Sequence, residues 1–292
     1  MLSAKALTSE DSNAVLFICV NYHSEADVRA LVGDLLGQRV AGRVDVIIVD
    51  NGGGEAATPP LSALSLAHAQ VAVVTPPSNL GYFGGADYGL KLYLKNNGIP
   101  DWVAVSNPDI RIRNKGFFEE LLLNYSGESV PAVIAPRLQS LLSGTDQNPY
   151  LRHRPSRIRM HFYRWLFALR PAARWYERVS LAKFRTLLAI SKFRRKRPLP
   201  VVKPEAIYAP HGSLMFFHHS YFSRGGNLCH GSFLFGEEIF VGETARKLGC
   251  TVIYDPRLAA EHRQKTPSTI IHDSTLARYA SDSAAFLARE FF

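Results

Sequence analysis

The stretch "WVAVSNPDIRI", residues 102 to 112, decides the fold. It begins with five apolar or small residues, several of them β-branched, a pattern that is typical of a strand buried on both faces. The run then ends abruptly in Asn107, Pro108 and Asp109. A carboxylate at the end of a core strand is a candidate functional group, because ligands of parallel sheets bind beyond the carboxyl ends of the strands.

Three similar runs precede this strand, "AVLFICV" (14–20), "VDVIIVD" (44–50) and "VAVVT" (71–75). The segments between them have apolar residues at helical spacing, as in Val28, Leu31 and Leu35. The alternation of strand and helix predicts an α/β fold, with a mostly parallel sheet flanked by helices. After about residue 130 it loosens, and we expect strands within 132–136, 206–217 and 251–256 and a helix near 237–248.

Length and composition limit the class of protein. A chain of 292 residues with 47% hydrophobic content can bury a sizeable core, as one large or two small domains. Cys19, Cys229 and Cys250 are far apart and form no CxxC pair, which favours reduced thiols in a cytosolic compartment. The N-terminal residues resemble neither a signal peptide nor a spanning helix. We therefore expect a cytoplasmic protein.

The net charge of +9 comes from one segment. Residues 152–197 contain fifteen Lys or Arg and one acidic residue, Glu177, so the rest of the chain is slightly acidic. These cations alternate with large apolar side chains, which are Phe162, Trp165, Leu166, Phe167, Leu169, Trp175, Phe184 and Leu187. The mixture predicts interfacial helices on an anionic membrane surface, broken near Pro171, with the protein peripheral to the membrane.

Two other interpretations of the basic segment stay open. It fits an amphipathic hairpin that packs on the body of the protein and leaves its Arg side chains in water. Nucleic acid is a rival anionic partner, but the clustered Trp, Phe and Leu favour lipid, so no nucleic acid is expected.

Polar residues follow all four predicted strands of the first half. They are Asn21 and Tyr22, Asp50 and Asn51, Asn79, and Asn107 and Asp109. Together they provide acceptors for the imide of a nucleobase and for ribose hydroxyls, which predicts a nucleotide site. For any one of them, a helix cap or an Asx turn is an equal alternative.

The motifs "VNYHS", "IIVDNGGGE", "NLGYFGGADYG" and "SNPDI" resemble, in order and spacing, glycosyltransferase family 2, whose members are inverting enzymes of the GT-A fold. The rhamnosyltransferase-like branch is the most similar. The resemblance continues through "HGSLMFFHHS", "FLFGEEIFVGETARKLG" and "IYDPRLAAEH" and covers about residues 14–262. It implies one GT-A domain over 1–292, with a basic amphipathic insert at 150–203 and a helical tail at 266–292.

The resemblance also implies roles for individual residues. Asp109 and His262 would bind a divalent metal, Mg²⁺ or Mn²⁺, together with the diphosphate of a sugar donor. Asn107 would face the ribose or a metal-bound water. The remaining donor-binding residues would be Asn21, Tyr22, Asp50, Asn79, Gly81 and Asp87. Asp87 departs from the Asn that is usual in the family.

Inversion needs a base that takes the proton of the acceptor hydroxyl. Glu237 and Glu238 begin a predicted helix, and adjacent helical residues point in different directions, so at most one is the base. Glu238 aligns with the family's base, although that residue is usually Asp, and Glu237 would orient it or contact the acceptor.

The implied activity is transfer of a sugar, possibly rhamnose, from a UDP- or dTDP-linked donor. The acceptor would be a saccharide or a polyprenyl-linked saccharide in the synthesis of cell-surface polysaccharide or lipopolysaccharide. The alternative is a nonenzymatic basic module on a degenerate transferase fold, which binds nucleic acid or anionic lipid.

Overall fold

A mixed sheet forms the centre of the molecule. The computed structural model describes residues 14–40, 42–52, 60–127, 130–169, 203–264 and 274–292, and eight isolated positions between 171 and 186. Within these residues the strands are β1 (Ala14–Asn21), β2 (Arg43–Asp50), β3 (Val71–Val74), β4 (Trp102–Ser106), β5 (Ile110–Arg111), β6 (Val133–Ser140), β7 (Glu205–Ile207), β8 (Leu214–His218) and β9 (Val252–His262).

The strand order is β3-β2-β1-β4-β8-β6-β9-β5, and β7 also pairs with β9. Strands β1 to β4 are parallel, as the alternating pattern predicts. In the second half, β8 is antiparallel to both β4 and β6, and β9 is parallel to β6 only. Parallel pairing needs a crossover connection, usually a helix, whereas antiparallel pairing does not. The looser alternation of strand and helix after residue 130 therefore agrees with a second half of the sheet that mixes parallel and antiparallel strands.

Helices cover both faces of this sheet. One face carries α1 (Glu25–Leu36) and α4 (Phe117–Asn124), and the other carries α3 (Gly81–Leu94) and α7 (Glu237–Lys247). Short helices are α2 (Ala63–Ala67) and α6 (His219–Ser223). The predicted apolar spacing of α1 is confirmed, because Val28, Leu31, Val32 and Leu35 are all buried. Burial of one such side chain stabilises the fold by about 1.5–3 kcal/mol.

Two further helices pack against each other, α5 (Arg157–Ala168) and α8 (Ser274–Phe291). Helix α5 is the first part of the basic segment, and α8 lies within the predicted helical tail. Phe184 and Leu187 of the basic segment lie outside the described residues. So do residues 266–273 of the tail and residues 1–13. In the described residues, no helix is long and apolar enough to cross a bilayer.

The pairing of β5 with β9 joins two distant parts of the chain. Ile110 lies opposite His262 in antiparallel register, and the Arg263 N–H donates to the Asp109 carbonyl oxygen at 2.9 Å. The turn that ends the stretch 102–112 is therefore held beside the end of the last strand.

Candidate active site

A cavity of about 590 Å³ opens beyond the carboxyl ends of β1 and β4. Seven residues predicted from the sequence line it, namely Tyr22, Asn79, Gly81, Asn107, Asp109, Glu237 and Glu238. They come from four separate segments of the chain, and the fold brings them around one space. Carboxyl ends of neighbouring strands meet at the same edge of a sheet, which explains this convergence.

Asp109 and His262 form a pair at the edge of this cavity. The Nε2 atom of His262 lies 3.3 Å from Oδ2 of Asp109, and the imidazole is almost completely buried. On the other side of the ring, Nδ1 of His262 is 2.7 Å from Oε1 of Gln147. An amide oxygen only accepts hydrogen bonds, so Nδ1 carries a proton and donates a hydrogen bond to Gln147.

When the imidazole is neutral, this arrangement leaves a lone pair on Nε2 that faces a carboxylate oxygen. Two acceptors at this distance are stabilised by a cation or a proton between or beside them. The donor set therefore fits a divalent metal that takes one carboxylate and one imidazole from the protein and phosphate oxygens from a substrate. Among the described residues no group of three or more His, Cys, Asp or Glu is placed to hold a metal, so the protein would supply a minority of the ligands.

The two glutamates lie at the first turn of α7. Glu237 is buried and Glu238 is partly exposed to the cavity. Burial raises the pKa of both carboxyl groups above the usual range, and the charge of Glu238 raises the pKa of Glu237 further. Two buried carboxyl groups this close resist ionising together, so one of them keeps its proton while the other is ionised. An ionised carboxylate with a raised pKa is a stronger base than an exposed one, which suits it to general-base catalysis.

Close backbone approach positions Glu238. Its carboxylate accepts a hydrogen bond from the Gly212 N–H, and a Cβ at position 212 would lie 2.8 Å from Oε1 of Glu238. The Tyr82 hydroxyl donates to the Gly212 carbonyl oxygen at 2.7 Å and so ties α3 to this segment. The glycine thus lets the carboxylate lie directly against the backbone.

His211 lines the same part of the cavity. Burial, and secondly the neighbouring His262, lower its pKa to about 4, while Asp109 acts in the opposite direction. Its Nδ1 accepts a hydrogen bond from the Ser213 N–H at 3.2 Å. His211 is therefore a neutral imidazole at physiological pH.

Three predicted donor-binding residues lie outside the lining of the cavity. Asn21 and Asp50 are buried beneath it, where Nδ2 of Asn21 donates to Oδ1 of Asp50 at 3.0 Å. Asp50 also accepts the Gly52 N–H, and residues 53–59, which follow, are outside the described residues. Asp87 forms an ion pair with Lys91 at 2.6 Å and accepts from the Cys229 thiol at 3.5 Å.

The predicted residues that do line the cavity make local contacts too. Asn79 accepts the Gly81 N–H at 2.9 Å, which is the Asx turn considered as an alternative. Nδ2 of Asn107 donates to the Ser213 hydroxyl at 3.2 Å and joins the ends of β4 and β8. Gly81 has φ of 74°, and a Cβ there would overlap the Phe233 carbonyl oxygen. Tyr22 is 58% exposed, which leaves its ring accessible from the cavity.

The sequence interpretation missed one wall of the cavity. Thr275, Leu276 and Tyr279 of α8 line it, and the Tyr279 ring packs on Phe233 with centroids 4.4 Å apart. Nothing in the local pattern of 274–291 indicates a site. The available signal was its amphipathic spacing, with Ala280, Ala284, Leu287 and Ala288 on the buried side, which indicates packing but not the partner.

Comparisons with known proteins support the fold and go no further. No family model matches the sequence, and no curated protein sequence matches it. Among solved structures, GalNAc-T7 with UDP, GalNAc and Mn²⁺ aligns with a TM-score of 0.55 and 9% identity, over 89% of this chain and 45% of that one. This chain therefore spans less than half the length of that protein.

Two other structures align less well. The mannosyltransferase PcManGT from Pyrobaculum calidifontis, in complex with GDP-Man and Mn²⁺, has a TM-score of 0.49 and 11% identity, over 94% of this chain and 70% of that one. S. aureus TarS 1–349 has a TM-score of 0.46 and 13% identity, over 83% and 60% of the two chains. Of these three alignments, the one with GalNAc-T7 supports the fold. The predicted fold class, a GT-A-type α/β fold with a central sheet flanked by helices, is confirmed.

Proposed function

We propose that this protein is a metal-dependent inverting glycosyltransferase that takes a sugar from a nucleoside-diphosphate donor. The observation that carries the proposal is a cavity that contains two glutamates with raised pKa values and at whose edge Asp109 pairs with His262. Strongly perturbed carboxyl groups in a cleft favour a catalytic site over a structural one. Membership of glycosyltransferase family 2 and of its rhamnosyltransferase-like branch is part of the proposal and rests on the sequence motifs.

In the proposed reaction Glu238 accepts the proton of the acceptor hydroxyl as that oxygen attacks the donor sugar. Glu237 stays protonated beside it and orients the base or the acceptor. Asp109 and His262 would hold Mg²⁺ or Mn²⁺, which when bound offsets negative charge on the diphosphate leaving group. Asn107, Asn79 and Tyr22 would contact the donor nucleoside, with Gly81 allowing close backbone approach.

Asn21, Asp50 and Asp87 would act less directly. The buried Asn21–Asp50 pair would hold the end of β1 against the end of β2 and so shape the floor of the nucleoside site. Asp87, already paired with Lys91, would contact the donor only after that ion pair rearranges.

The proposed donor is a UDP- or dTDP-sugar, possibly rhamnose. The acceptor is a saccharide or polyprenyl-linked saccharide of cell-surface polysaccharide or lipopolysaccharide synthesis. The proposal treats residues 1–292 as one domain working at the cytoplasmic face of a membrane. A nonenzymatic module has less support, because a protein that only binds lipid or nucleic acid has no use for a buried carboxyl pair.

Thermal shift with UDP, dTDP and GDP, each with and without Mn²⁺, tests the proposal. A ligand that binds only the folded state at about one hundred times its Kd stabilises it by about 2.7 kcal/mol. We expect stabilisation by one nucleotide, only with the metal, and its loss in Asp109→Ala. Glu119→Gln, an exposed change on α4, is the matched control. Stabilisation by no nucleotide, or equal stabilisation of Asp109→Ala, would contradict the proposal.

A further inference from the structure

Helix α5 has an inner face that packs on the body of the protein. Met160 and Leu166 are buried, and Tyr163 and Phe167 are partly buried. The Ser156 hydroxyl accepts the Arg159 N–H and caps the first turn. With α8 as its main packing partner, α5 is a fixed part of the surface.

The outer face of α5 carries a continuous apolar stripe. Ile158, Phe162, Trp165 and Leu169 follow each other at intervals of four, three and four residues, which places them along one side of a helix. Their exposed fractions are 83%, 50%, 57% and 43%. Single exposed apolar side chains are normal on a protein surface, but four large ones in one line mark an interaction surface.

Positive charge lies beside this stripe. Arg157, His161 and Arg164 are exposed and lie together on one flank, again at helical spacing. They belong to the segment 152–197, whose fifteen Lys or Arg contrast with one acidic residue, while the rest of the chain is slightly acidic. The partner must therefore be anionic and must also accept large apolar side chains.

We propose that the outer face of α5 docks on an anionic lipid bilayer, with Phe162 and Trp165 at the acyl boundary and Arg157 and Arg164 among the phosphates. A helix with a cationic flank and an aromatic stripe lies in the plane of the interface. Attraction of each cation to an anionic leaflet is worth about 1 kcal/mol. A nucleic acid would neutralise the cations but would leave the line of four apolar side chains in water.

The chain that leads into α5 begins beside the candidate active site. The Leu151 N–H donates to the carbonyl oxygen of Ala209 at 3.2 Å, two residues before His211 of the cavity. The ring of Tyr150 also contacts His211, with centroids 5.8 Å apart. Resting on the proposed function, the inference names the acceptor class: a lipid-linked saccharide that reaches Glu238 from the membrane surface to which α5 is bound.

Sedimentation of the full chain with vesicles tests the docking surface. The probes are phosphatidylcholine vesicles with and without phosphatidylglycerol. We expect binding only to the anionic vesicles, weakened by salt because the attraction is screened over about 8 Å at physiological ionic strength. The double variant Phe162→Ser/Trp165→Ser should lower the partition coefficient by about tenfold or more, and Arg157→Gln/Arg164→Gln by about tenfold.

Leu66→Ser is the matched control, because Leu66 is a 91% exposed apolar residue on α2, a separate helix. The inference would be overturned by an equal loss of vesicle binding in this control or by the absence of vesicle binding by the intact chain. Stronger binding to duplex DNA than to anionic vesicles would also overturn it. Nucleotide binding, measured by calorimetry on the same proteins, separates the two proposals. Vesicle binding without nucleotide binding would contradict the proposed transferase function. Nucleotide binding without vesicle binding would contradict the proposed docking surface.

Discussion

The imidazole Nε2 of His262 lies 3.3 Å from the carboxylate of Asp109, although 152 residues of sequence separate the two. The pairing of β5 with β9 creates this contact, and the Gln147 side chain on the far side of the ring fixes the tautomer. The pair is thus arranged to bind a cation at the point where the cavity meets the sheet.

The first prediction concerns this pair. His262→Ala should weaken nucleotide binding in the presence of Mn²⁺ by about 10- to 100-fold and leave binding without metal unchanged, because only the metal-linked contribution is lost. Isothermal titration calorimetry with and without Mn²⁺ measures both. His68→Ala, at the end of α2, is the control. An equal loss in the absence of metal would assign His262 a structural role.

The second prediction separates the two glutamates. Glu238→Gln should reduce sugar transfer by about two to four orders of magnitude with donor affinity unchanged, the usual contribution of a positioned base. Glu237→Gln should have a smaller effect. Steady-state rates and calorimetry on both variants provide the comparison. If Glu237→Gln is the more severely impaired variant, Glu237 is the base.

The third prediction is a pH dependence of stability. Burial raises the pKa of Glu237 above its unfolded value, so the folded state binds more protons and the free energy of unfolding falls as pH rises through the shifted pKa. Gln cannot ionise. Glu237→Gln should therefore be more stable than the parent by on the order of 1–3 kcal/mol at alkaline pH, with little difference near the unfolded pKa of about 4.3.

Denaturant titrations across this pH range measure the difference. Glu119→Gln, which is exposed, should show no such trend. A stability difference between Glu237→Gln and the parent that is the same at acidic and alkaline pH would contradict the assignment of a raised pKa.

The fourth prediction concerns the contact of α8 with the loop before the glutamates. The Ser283 hydroxyl donates to the Phe235 carbonyl oxygen at 2.6 Å, and Phe235 has a left-handed backbone with φ of 73°. Backbone in this region is held by its surroundings and is frequent at functional sites. Ser283→Ala removes one hydrogen bond of about 1 kcal/mol, so we expect kcat to fall about three- to tenfold with donor affinity unchanged.

The control for this prediction is Ser281→Ala on the same helix, which removes the same hydroxyl group two residues away. Compared with the parent protein, Ser283→Ala should have a lower kcat and an unchanged donor affinity. Ser281→Ala should change neither quantity. An unchanged kcat would show that α8 encloses the cavity without positioning the carboxylates.

The order of strands and helices in the first half was predictable from the sequence because it depends on local periodicity. Val28, Leu31 and Leu35 repeat at helical spacing, and the apolar run that ends at Asn107 has the length of a core strand. Polar residues at strand ends were predictable for the same reason. Seven of the predicted site residues, from strand ends and from later motifs, line one cavity. They converge because parallel strands bring their carboxyl ends to the same edge of the sheet.

Contacts between residues far apart in sequence were decided only by the tertiary structure. Periodicity does not specify that β8 runs antiparallel between β4 and β6, that Asn21 and Asp50 satisfy each other beneath the cavity, or that Tyr279 closes one of its walls. Each of these depends on the packing of complete elements against each other. The raised pKa values of Glu237 and Glu238 have the same origin, because desolvation is a property of the assembled site and adjacent glutamates in an isolated segment remain in water.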